Sequence, residues 1–454
     1  MNSRRVRSHT GIAIVLVASL AVAAPASATT QVDCDTTADF CTGDPCVTSD
    51  SLEITVSSCT LNFGSATLRI ENKVRLAVDG ATLSLTAANI EVNAKIDGKH
   101  TDTGEPNGSD VTLTTSGNIT VNRKIDVSAR GTAGSITLDA GGNIAIGHQL
   151  LARAKGGGGV TATGGIVTVE ADGTVTSTKR GKLIARGKKK NTDAGEVSVS
   201  GVLGVDLDGR IEVRGLNAGT AAVTSSGGNV VFDEEIRAFG EFGNGGRVML
   251  DTPVGDVAMN GVIRAKGGGI EGGGDIDITG DVVSVLRIDA RGRGHSPGGS
   301  INIVGSTIFS GRILANGGDD GGSVSVISVV NPPGGITLDE RIDVDGRIAG
   351  GSVIVSTPYD ATILAEIDAR GDVTGGEAHF HADGNLVLGG GSSDKYRATS
   401  DGVGGTFEAD TTTGNLTVSG VYTVQIGGCI GLSAGGVLDT SQATFDTTPV
   451  ASCP

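Results

Sequence analysis

Apolar and polar residues alternate in short stretches along most of the chain, and glycine-rich turns separate these stretches. The segment "RIDARGRGHSPGGSINIVG" (287–305) holds two such alternations, and a similar phrase recurs as "EIDARGDVTGGEAHFHADG" (366–384). Because successive residues of a β-strand point to opposite faces, each alternation predicts a short strand with one buried face. The chain is therefore predicted to be all-β and repetitive.

The apolar residue that opens each "IDARG" phrase recurs at spacings of 25 residues or more. It is found at Ile96, Ile125, Leu150, Leu183, Ile211, Ile236, Ile263, Ile288, Ile313, Ile342, Ile367 and Tyr396. Phrases of the types "GGSINI" and "GNITV" keep step with it, so each period carries three short strands. Three such strands cannot close a sheet within one unit, so each strand must pair with its counterpart in the next unit.

The pattern thus predicts a parallel β-helix of about twelve coils over residues 68–424, with a period near 25 residues. A β-propeller, the rival architecture, needs blades of about 40–45 residues with four strands each. The glycines between the strands suit tight corners in which φ is positive.

Within the "IDARG" strands, the first and third positions are apolar or small and are predicted to lie inside. The second position is mostly charged and is predicted to face water. Its charged residues are Asp97, Asp126, Glu212, Arg237, Arg264, Asp289, Asp343, Asp368 and Arg397. Arg264 and Asp289 would be neighbours on adjacent coils and attract, whereas Arg237 beside Arg264 would repel.

The first 28 residues have the features of a secretory signal peptide. Arg4, Arg5 and Arg7 form a basic start, residues 11–24 are apolar, and Ala26-Ser27-Ala28 offers a cleavage site. The general secretion route is favoured over the twin-arginine route. The protein is therefore predicted to be exported, to the extracellular space or cell surface, with the periplasm as an alternative. No later apolar run is long enough for a transmembrane helix, so the mature chain is predicted to have no membrane span.

Six cysteines in an exported chain predict disulfides. Four of them lie near the start, in a predicted cap at 29–67, and two lie in a predicted cap at 425–454. They are Cys34, Cys41, Cys46, Cys59, Cys429 and Cys453. Cys429–Cys453 is the preferred C-terminal pair, and the three possible pairings of the first four stay open. A zinc site is the disfavoured alternative for the first cluster, which lacks C-x-x-C spacing.

The net charge of −16 argues against nucleic acid as a partner. A mature chain from Thr29 would keep 32 bases and 51 acids, a net charge of −19. One segment is basic, with Lys179, Arg180, Lys182, Arg186 and residues 188–190, all lysines. This segment could bind an anionic polysaccharide or an acidic surface, and an ordinary solvated turn is the alternative.

The alternation of "IDARG" with "GGSINI" behind a signal peptide resembles exported bacterial right-handed β-helix proteins. These include filamentous-haemagglutinin-like and pectin-lyase-like chains, and the resemblance covers roughly residues 68–424. It implies a right-handed helix, as does the chirality of parallel crossovers. It also implies a role as a surface adhesin, a secreted scaffold or a polysaccharide-cleaving enzyme.

Polygalacturonase-like members carry an N-T-D, an acidic pair, a G-H-G and an R-I-K on neighbouring coils. This chain has Asn191-Thr192-Asp193, Gly294-His295-Ser296 and Asp319-Asp320. The order differs, since the histidine precedes the acidic pair, and the first fragment lies about four coils from the second. Four coils span nearly 20 Å, which exceeds the roughly 5–9.5 Å that separates glycosidase carboxylates. No catalytic residue is therefore predicted.

A histidine–carboxylate cluster is predicted on the outer face near the C-terminal end. If "GGEAHFHAD" and "GGTFEAD" align by their glycine pairs, His379 lies beside Glu408 and His381 beside Asp410. Such a cluster could bind Zn²⁺, but a charge-complementary ladder is favoured, so no resident metal or cofactor is predicted.

The predicted function is that of a secreted or cell-surface structural or adhesion-type protein. Its partner would be a polysaccharide, a surface protein or matrix, met by turns such as 156–165 and 389–404. The alternative function is a polysaccharide-active β-helix enzyme, either a lyase or a glycoside hydrolase. Acids clustered on one groove would favour the enzyme, and acids spread around the rod would favour the scaffold.

Overall fold

The computed structural model describes residues 29–101, 106–156, 162–188, 191–329, 334–389, 395–425, 427–450 and 452–453. This part of the chain forms an all-β parallel solenoid of about 16 turns with about 25 residues per turn. The predicted fold class is confirmed. The predicted signal peptide, the lysines at 189 and 190, and parts of the two predicted turns lie outside the described residues.

One sheet of 15 parallel strands contains the GGSINI strands. Their bounds are Ser58–Asn62, Thr82–Ala87, Asp110–Thr115, Ile136–Ala140, Ile166–Ala171, Glu196–Gly201, Thr220–Ser225, Arg247–Asp251, Asp275–Thr279, Ser300–Gly305, Ser323–Ser328, Ser352–Thr357, Glu377–Ala382, Thr406–Thr411 and Cys429–Ala434.

A second, 28-stranded sheet contains both of the other strand types. The GNITV strands are Cys46–Val47, Thr67–Ile70, Asn89–Val92, Ile119–Val121, Ile144–Ile146, Thr174–Ser177, Gly204–Leu207, Val230–Phe232, Gly335–Leu338, Asp360–Ile363 and Leu386–Leu388. The IDARG strands are Thr29–Val32, Ser51–Ile54, Val74–Leu76, Ile96–Asp97, Ile125–Asp126, Leu150–Ala154, Leu183–Gly187, Ile211–Gly215, Glu235–Gly240, Ile342–Asp343, Ile367–Asp368 and Lys395–Arg397.

Five longer strands run through both positions and join them into one sheet. They are Val257–Arg264, Val282–Asp289, Thr307–Leu314, Leu416–Thr423 and Leu438–Phe445. A two-stranded sheet (Ala162–Thr163 and Thr192–Asp193) and a 3₁₀ helix (Thr37–Asp39) complete the described elements.

The predicted register is confirmed along the IDARG strands. Ile96 pairs with Ile125 and Ile125 with Leu150, and the same in-register pairing continues to Ile367 and Tyr396. These twelve residues are fully buried or nearly so. Stacked aliphatic side chains therefore form one core along the whole solenoid, and each coil contributes to it only when its neighbours are present.

The predicted coil count of about twelve is too low. In-register pairs link Thr30 to Leu52, Leu52 to Val74 and Val74 to Ile96, so three further coils precede the first predicted one. Tyr396 pairs with Tyr422 and Tyr422 with Phe445 at the other end. These coils were missed because the first three repeat every 22 residues and lack the "IDARG" phrase.

In the 25-residue coils, the chain leaves the IDARG strand, forms a short loop and returns through a glycine pair. The second glycine closes this loop by donating its N–H to the third residue of the IDARG phrase. Gly299 donates to Ala290 and Gly322 to Ala315, both at 2.7 Å. We call these loops excursions. They stack on one another, since Gly298 donates to Asp320 of the next excursion at 2.9 Å.

Three disulfides, Cys34–Cys59, Cys41–Cys46 and Cys429–Cys453, lie near the two ends. The preferred C-terminal pair is present, and the first four cysteines pair in one of the three possible ways. Disulfides of this kind are typical of proteins in oxidising environments. Among the described residues, no helix is long and apolar enough to span a bilayer.

Candidate functional site

The outer face of the IDARG strands carries an ordered array of charges. We call the second position of each phrase the central column. The flanking columns are the residue just before the phrase and its fourth position. One coil shows the pattern clearly, with Arg287 and Arg291 on either side of Asp289. Because coils stack in register, these positions form columns along the rod.

Five carboxylates of the central column are buried and a sixth, Asp97, is half-buried, which corrects the prediction that this position faces water. Asp289 and Asp368 are fully buried, and Asp126, Glu212 and Asp343 nearly so. Long basic side chains from the flanking columns lie across them and exclude solvent. Lys266 Nζ lies 2.6 Å from Asp289 Oδ2, and Arg291 Nε donates to Asp289 Oδ1 at 2.8 Å.

These contacts keep several buried carboxylates charged. Burial alone would raise the pKa of Asp289, but hydrogen bonds and charges from Arg291 and Lys266 outweigh it and lower the pKa. The pKa of Asp126 is lowered against burial in the same way by Ser128 and Lys124. In this part of the column the acids act as stable negative centres between bases.

Asp343 and Asp368 behave differently. Burial raises the pKa of Asp368 to about 6, and the charge of Asp345 and a hydrogen bond with it add to the rise, against the opposing effect of Arg370. Burial and the charge of Asp345 also raise the pKa of Asp343. Three acids on two coils therefore compete for Arg341 and Arg370.

Where the central column holds arginine, the flanking column supplies an acid. Arg237 and Arg264 both form salt bridges with Glu235. The predicted repulsion between the two arginines is thus relieved by a shared carboxylate. Arg264 does lie beside Asp289 in register, as predicted, but its salt bridge is with Glu235.

The fragments that resemble polygalacturonase motifs, for which no catalytic role was predicted, are used to fasten turns. His295 and Asp319 meet at 3.2 Å, and Arg347 lies 2.7 Å from the same Asp319 oxygen, which lowers the Asp319 pKa. Ser296 Oγ donates to the carbonyl of Arg293, and Asp193 accepts hydrogen bonds from Asn217. The strands that follow Asp193 and His295 are four steps apart in the 15-stranded sheet. The first fragment therefore does not join the other two.

The predicted histidine ladder forms as expected. His379 Nδ1 lies 2.9 Å from Glu408 Oε2, and His381 Nδ1 lies 2.6 Å from Asp410 Oδ2. Glu408 also accepts the backbone N–H of Cys453, which ties it to the C-terminal disulfide. The described residues hold no group of three His, Cys, Asp or Glu arranged for a metal. The contacts are those of a charge-complementary ladder between two coils.

The predicted basic segment is divided by the fold. Lys179 and Arg180 are exposed in a turn before the IDARG strand Leu183–Gly187, whereas Lys188 is exposed just after it. Arg186 is paired with Glu212 at 3.2 Å. The segment is thus not one cluster, and its charges lie on both sides of one strand.

A groove of about 670 Å³ runs across five coils between the excursions and the GGSINI strands. Its floor is made of glycine pairs such as Gly298-Gly299, and Ser300, Ser323 and Ser352 line its wall. The glycines are required for stacking, since a Cβ at Gly299 would lie 2.1 Å from the carbonyl oxygen of Gly274. The groove is therefore a product of close coil packing.

The flanking columns are the feature that sequence reasoning missed. Their signal is present in phrases such as "KIDGK", "RIEVR" and "RIDAR", in which bases stand two residues before and after the acid. In a strand these three residues share one face. The acid was predicted to face water because the two bases that cover it were not taken into account.

No family model matches the chain, and no curated protein and no solved structure is significantly similar to it. The resemblance to exported bacterial β-helix proteins stays a prediction, and function has to be inferred from the architecture and surface.

Proposed function

We propose that the protein is an exported structural or adhesion-type rod of the extracellular space or cell surface. Its disulfides fit an oxidising compartment, and its repeat builds one long stacked core. In this role the solenoid holds a rigid surface that a polysaccharide, a surface protein or matrix can contact.

The observation that carries this proposal is the use of outward charges to join coils. Lys73 reaches Asp97 at 3.2 Å, Lys266 reaches Asp289 at 2.6 Å, and Arg186 reaches Glu212 at 3.2 Å, each across a coil boundary. These salt bridges enclose the central carboxylates, and the charges of the carboxylates help to hold neighbouring coils together.

The test is incubation of the mature, disulfide-intact protein with a panel of acidic and neutral polysaccharides. We expect saturable binding or no interaction, with no new reducing ends and no unsaturated products. Steady release of either product, abolished by heat inactivation of the protein, would contradict the scaffold role.

A polysaccharide-cleaving enzyme is the second candidate, and the acids Asp343, Asp345 and Asp368 favour it. A carboxyl with a pKa of about 6 beside other carboxylates is a feature of glycosidase acids. Should turnover be found, Asp368→Asn is expected to abolish it, and Asp97→Asn, in the same column, is expected to leave it unchanged.

A further inference from the structure

Two neighbouring coils interrupt the acidic central column. Asp126 pairs in register with Leu151, Leu151 with Ile184, and Ile184 with Glu212. Both aliphatic residues are buried, at 1% and 7% exposure. They therefore fill the same covered position as the acids while supplying no negative charge.

Most of the described bases beside this interruption form no salt bridge, and Arg186, the exception, pairs with Glu212 of the next coil. On the coils before and after it, Lys124 pairs with Asp126 and Arg210 with Glu212. Arg153, Lys155 and Lys182, in contrast, form no salt bridge with any residue that the structure describes. Uncompensated positive charge thus accumulates where the column changes from acid to aliphatic.

The same region stands out in the charge distribution of the whole chain. Residues 95–190 contain 14 Lys and Arg against 8 Asp and Glu, within a chain of net charge −16. Such a local excess in an acidic protein produces a confined positive potential that attracts anions.

Two titratable groups near the interruption are affected by burial and by these positive charges. Burial lowers the pKa of Lys155, and the charges of Lys99, Lys188 and Arg153 lower it further, against the opposing charge of Asp126. On the other side of the strand, burial lowers the pKa of His148, with contributions from Arg123, Lys124 and Arg180.

We propose that this surface binds a single chain of an acidic polysaccharide. The surface, which we call the basic band, consists of Lys99, Arg153, Lys155, Arg180, Lys182 and Lys188. The inference rests on the proposed adhesive function and names the class of its partner. Carboxylate or sulfate groups of the sugar chain would replace the acids that the central column lacks.

The dimensions and composition of the band favour a polysaccharide over other polyanions. The aliphatic interruption at the band is bordered along the central column by Asp126 on one side and Glu212 on the other, so a wide anionic bilayer would meet repulsion around it. Residues 95–190 contain no Phe, Tyr or Trp, so the band offers no platform for stacking nucleic-acid bases. A thin, hydrated chain with anionic groups along its length fits the band, whose bases lie on the coils of Ile96, Leu150 and Leu183. Neighbouring coils in this stack are about 4.8 Å apart.

The first test measures binding of polygalacturonate and of dextran sulfate, with neutral dextran as the blank. We expect Arg153→Glu/Lys155→Glu to weaken binding of the acidic chains at least about tenfold at low ionic strength. The matched control is Arg293→Glu/Arg312→Glu, which changes the net charge equally. Arg312 lies beside another aliphatic position of the central column, Leu314, but the fourth position of that coil is the neutral Asn316, so no group of bases forms there. The control substitutions should therefore change binding less than about twofold.

The second test restores the missing acid. Ile184→Glu copies Glu212 of the next coil, where a carboxylate is accommodated between Arg186 and Arg210. It removes no base, yet it should weaken binding by a similar factor because the new carboxylate neutralises the band. A thermal unfolding midpoint close to that of the parent protein shows that the fold is kept.

Equal losses in the band and control variants, full binding by Ile184→Glu with its fold intact, or absence of binding to both acidic chains would overturn the inference. Tighter binding of single-stranded DNA or of anionic vesicles would assign the band to another partner class and would also overturn it. Release of cleavage products from a polysaccharide would instead contradict the proposed scaffold role. Failure of this inference and failure of the proposed function therefore give different results.

Discussion

Asp289 shows how a residue on the outer face of a strand becomes buried in a solenoid. Its side chain points away from the core, but Lys266 from the preceding coil and Arg291 from its own coil cover it. Removing one partner of such a buried pair leaves an uncompensated charge, whereas replacing the whole pair costs far less. The column therefore tolerates Leu151 or Ile184 but not a carboxylate without bases.

Asp368 is expected to make stability depend on pH. Its pKa is raised from 3.8 to about 6, so the folded state holds its proton more tightly than the unfolded state. The stabilisation is present below about pH 4 and is lost as pH rises through about 6, with an upper bound of about 3 kcal/mol. Asp368→Asn should remove this dependence and should raise stability at pH 7. Urea unfolding midpoints between pH 4 and 7 measure the effect.

Asp289→Asn is the matched control. The pKa of Asp289 is lowered, so its contribution is present above the unfolded pKa and lost only as pH falls below about 4. This variant should lower stability at pH 7 and leave the slope between pH 4 and 7 unchanged. A parent protein whose midpoint does not vary across that range would contradict the assignment for Asp368.

The glycine pair is the element that allows neighbouring coils to approach closely. A Cβ at Gly298 would lie 1.9 Å from the carbonyl oxygen of Ala315, and one at Gly299 would lie 2.1 Å from that of Gly274. The first glycine thus contacts the following coil and the second contacts the preceding one. Each pair is fixed from both directions by backbone atoms, which cannot move aside as a flexible side chain can.

Gly299→Ala is therefore expected to destabilise the coils around it by roughly 1–3 kcal/mol, because the added methyl group would overlap backbone atoms that cannot move aside. Faster hydrogen exchange in Asp275–Thr279 and Ser300–Gly305 would report the effect. Ser300→Ala, one residue later on the outer face, is the control and should change exchange little. Equal exchange in the two variants would show that the close approach is not required.

The parts of the fold that depend on local pattern could be predicted from the sequence. The twelve apolar anchors from Ile96 to Tyr396 and the pairing of His379 with Glu408 follow from counting residues between glycine pairs. The early coils could not be found that way, because they lack excursions. The burial of Asp289 could not be predicted either, since it depends on Lys266, a residue from another coil whose side chain crosses the boundary.

At the scale of the whole molecule, the disulfides lie in the first and last described coils, and most of the aromatic contacts lie close to the last ones. Tyr396 and Tyr422 stack at 4.4 Å, and Phe445 continues the series. Within the described part of the chain the last coil pairs with one neighbour, and a coil with fewer neighbours opens more readily in a stacked repeat. The aromatic contacts and the Cys429–Cys453 disulfide therefore stabilise the C-terminal coils of the described solenoid.

Cys429→Ser/Cys453→Ser should loosen the C-terminal coils and leave the middle of the rod unchanged. A disulfide that closes a loop of this length, with a sequence separation of 24, stabilises by about 3 kcal/mol. Limited proteolysis and hydrogen exchange should show faster opening of Cys429–Ala434 and Leu438–Phe445. Uniform loosening across the coils from 96 to 329 would contradict this local effect, because nearest-neighbour stacking confines it.

Because one hydrogen bond closes each excursion, the length of the loop can differ while the geometry of the coil stays the same. The excursion between Ala290 and Gly299 has eight residues and that between Ala315 and Gly322 has six, yet both close with the same 2.7 Å hydrogen bond. Natural variation can therefore lengthen or shorten an excursion while the stack beneath it keeps its register. For protein engineering, each excursion is a grafting site, and a series of foreign peptides could be displayed along one edge at the spacing of the coils.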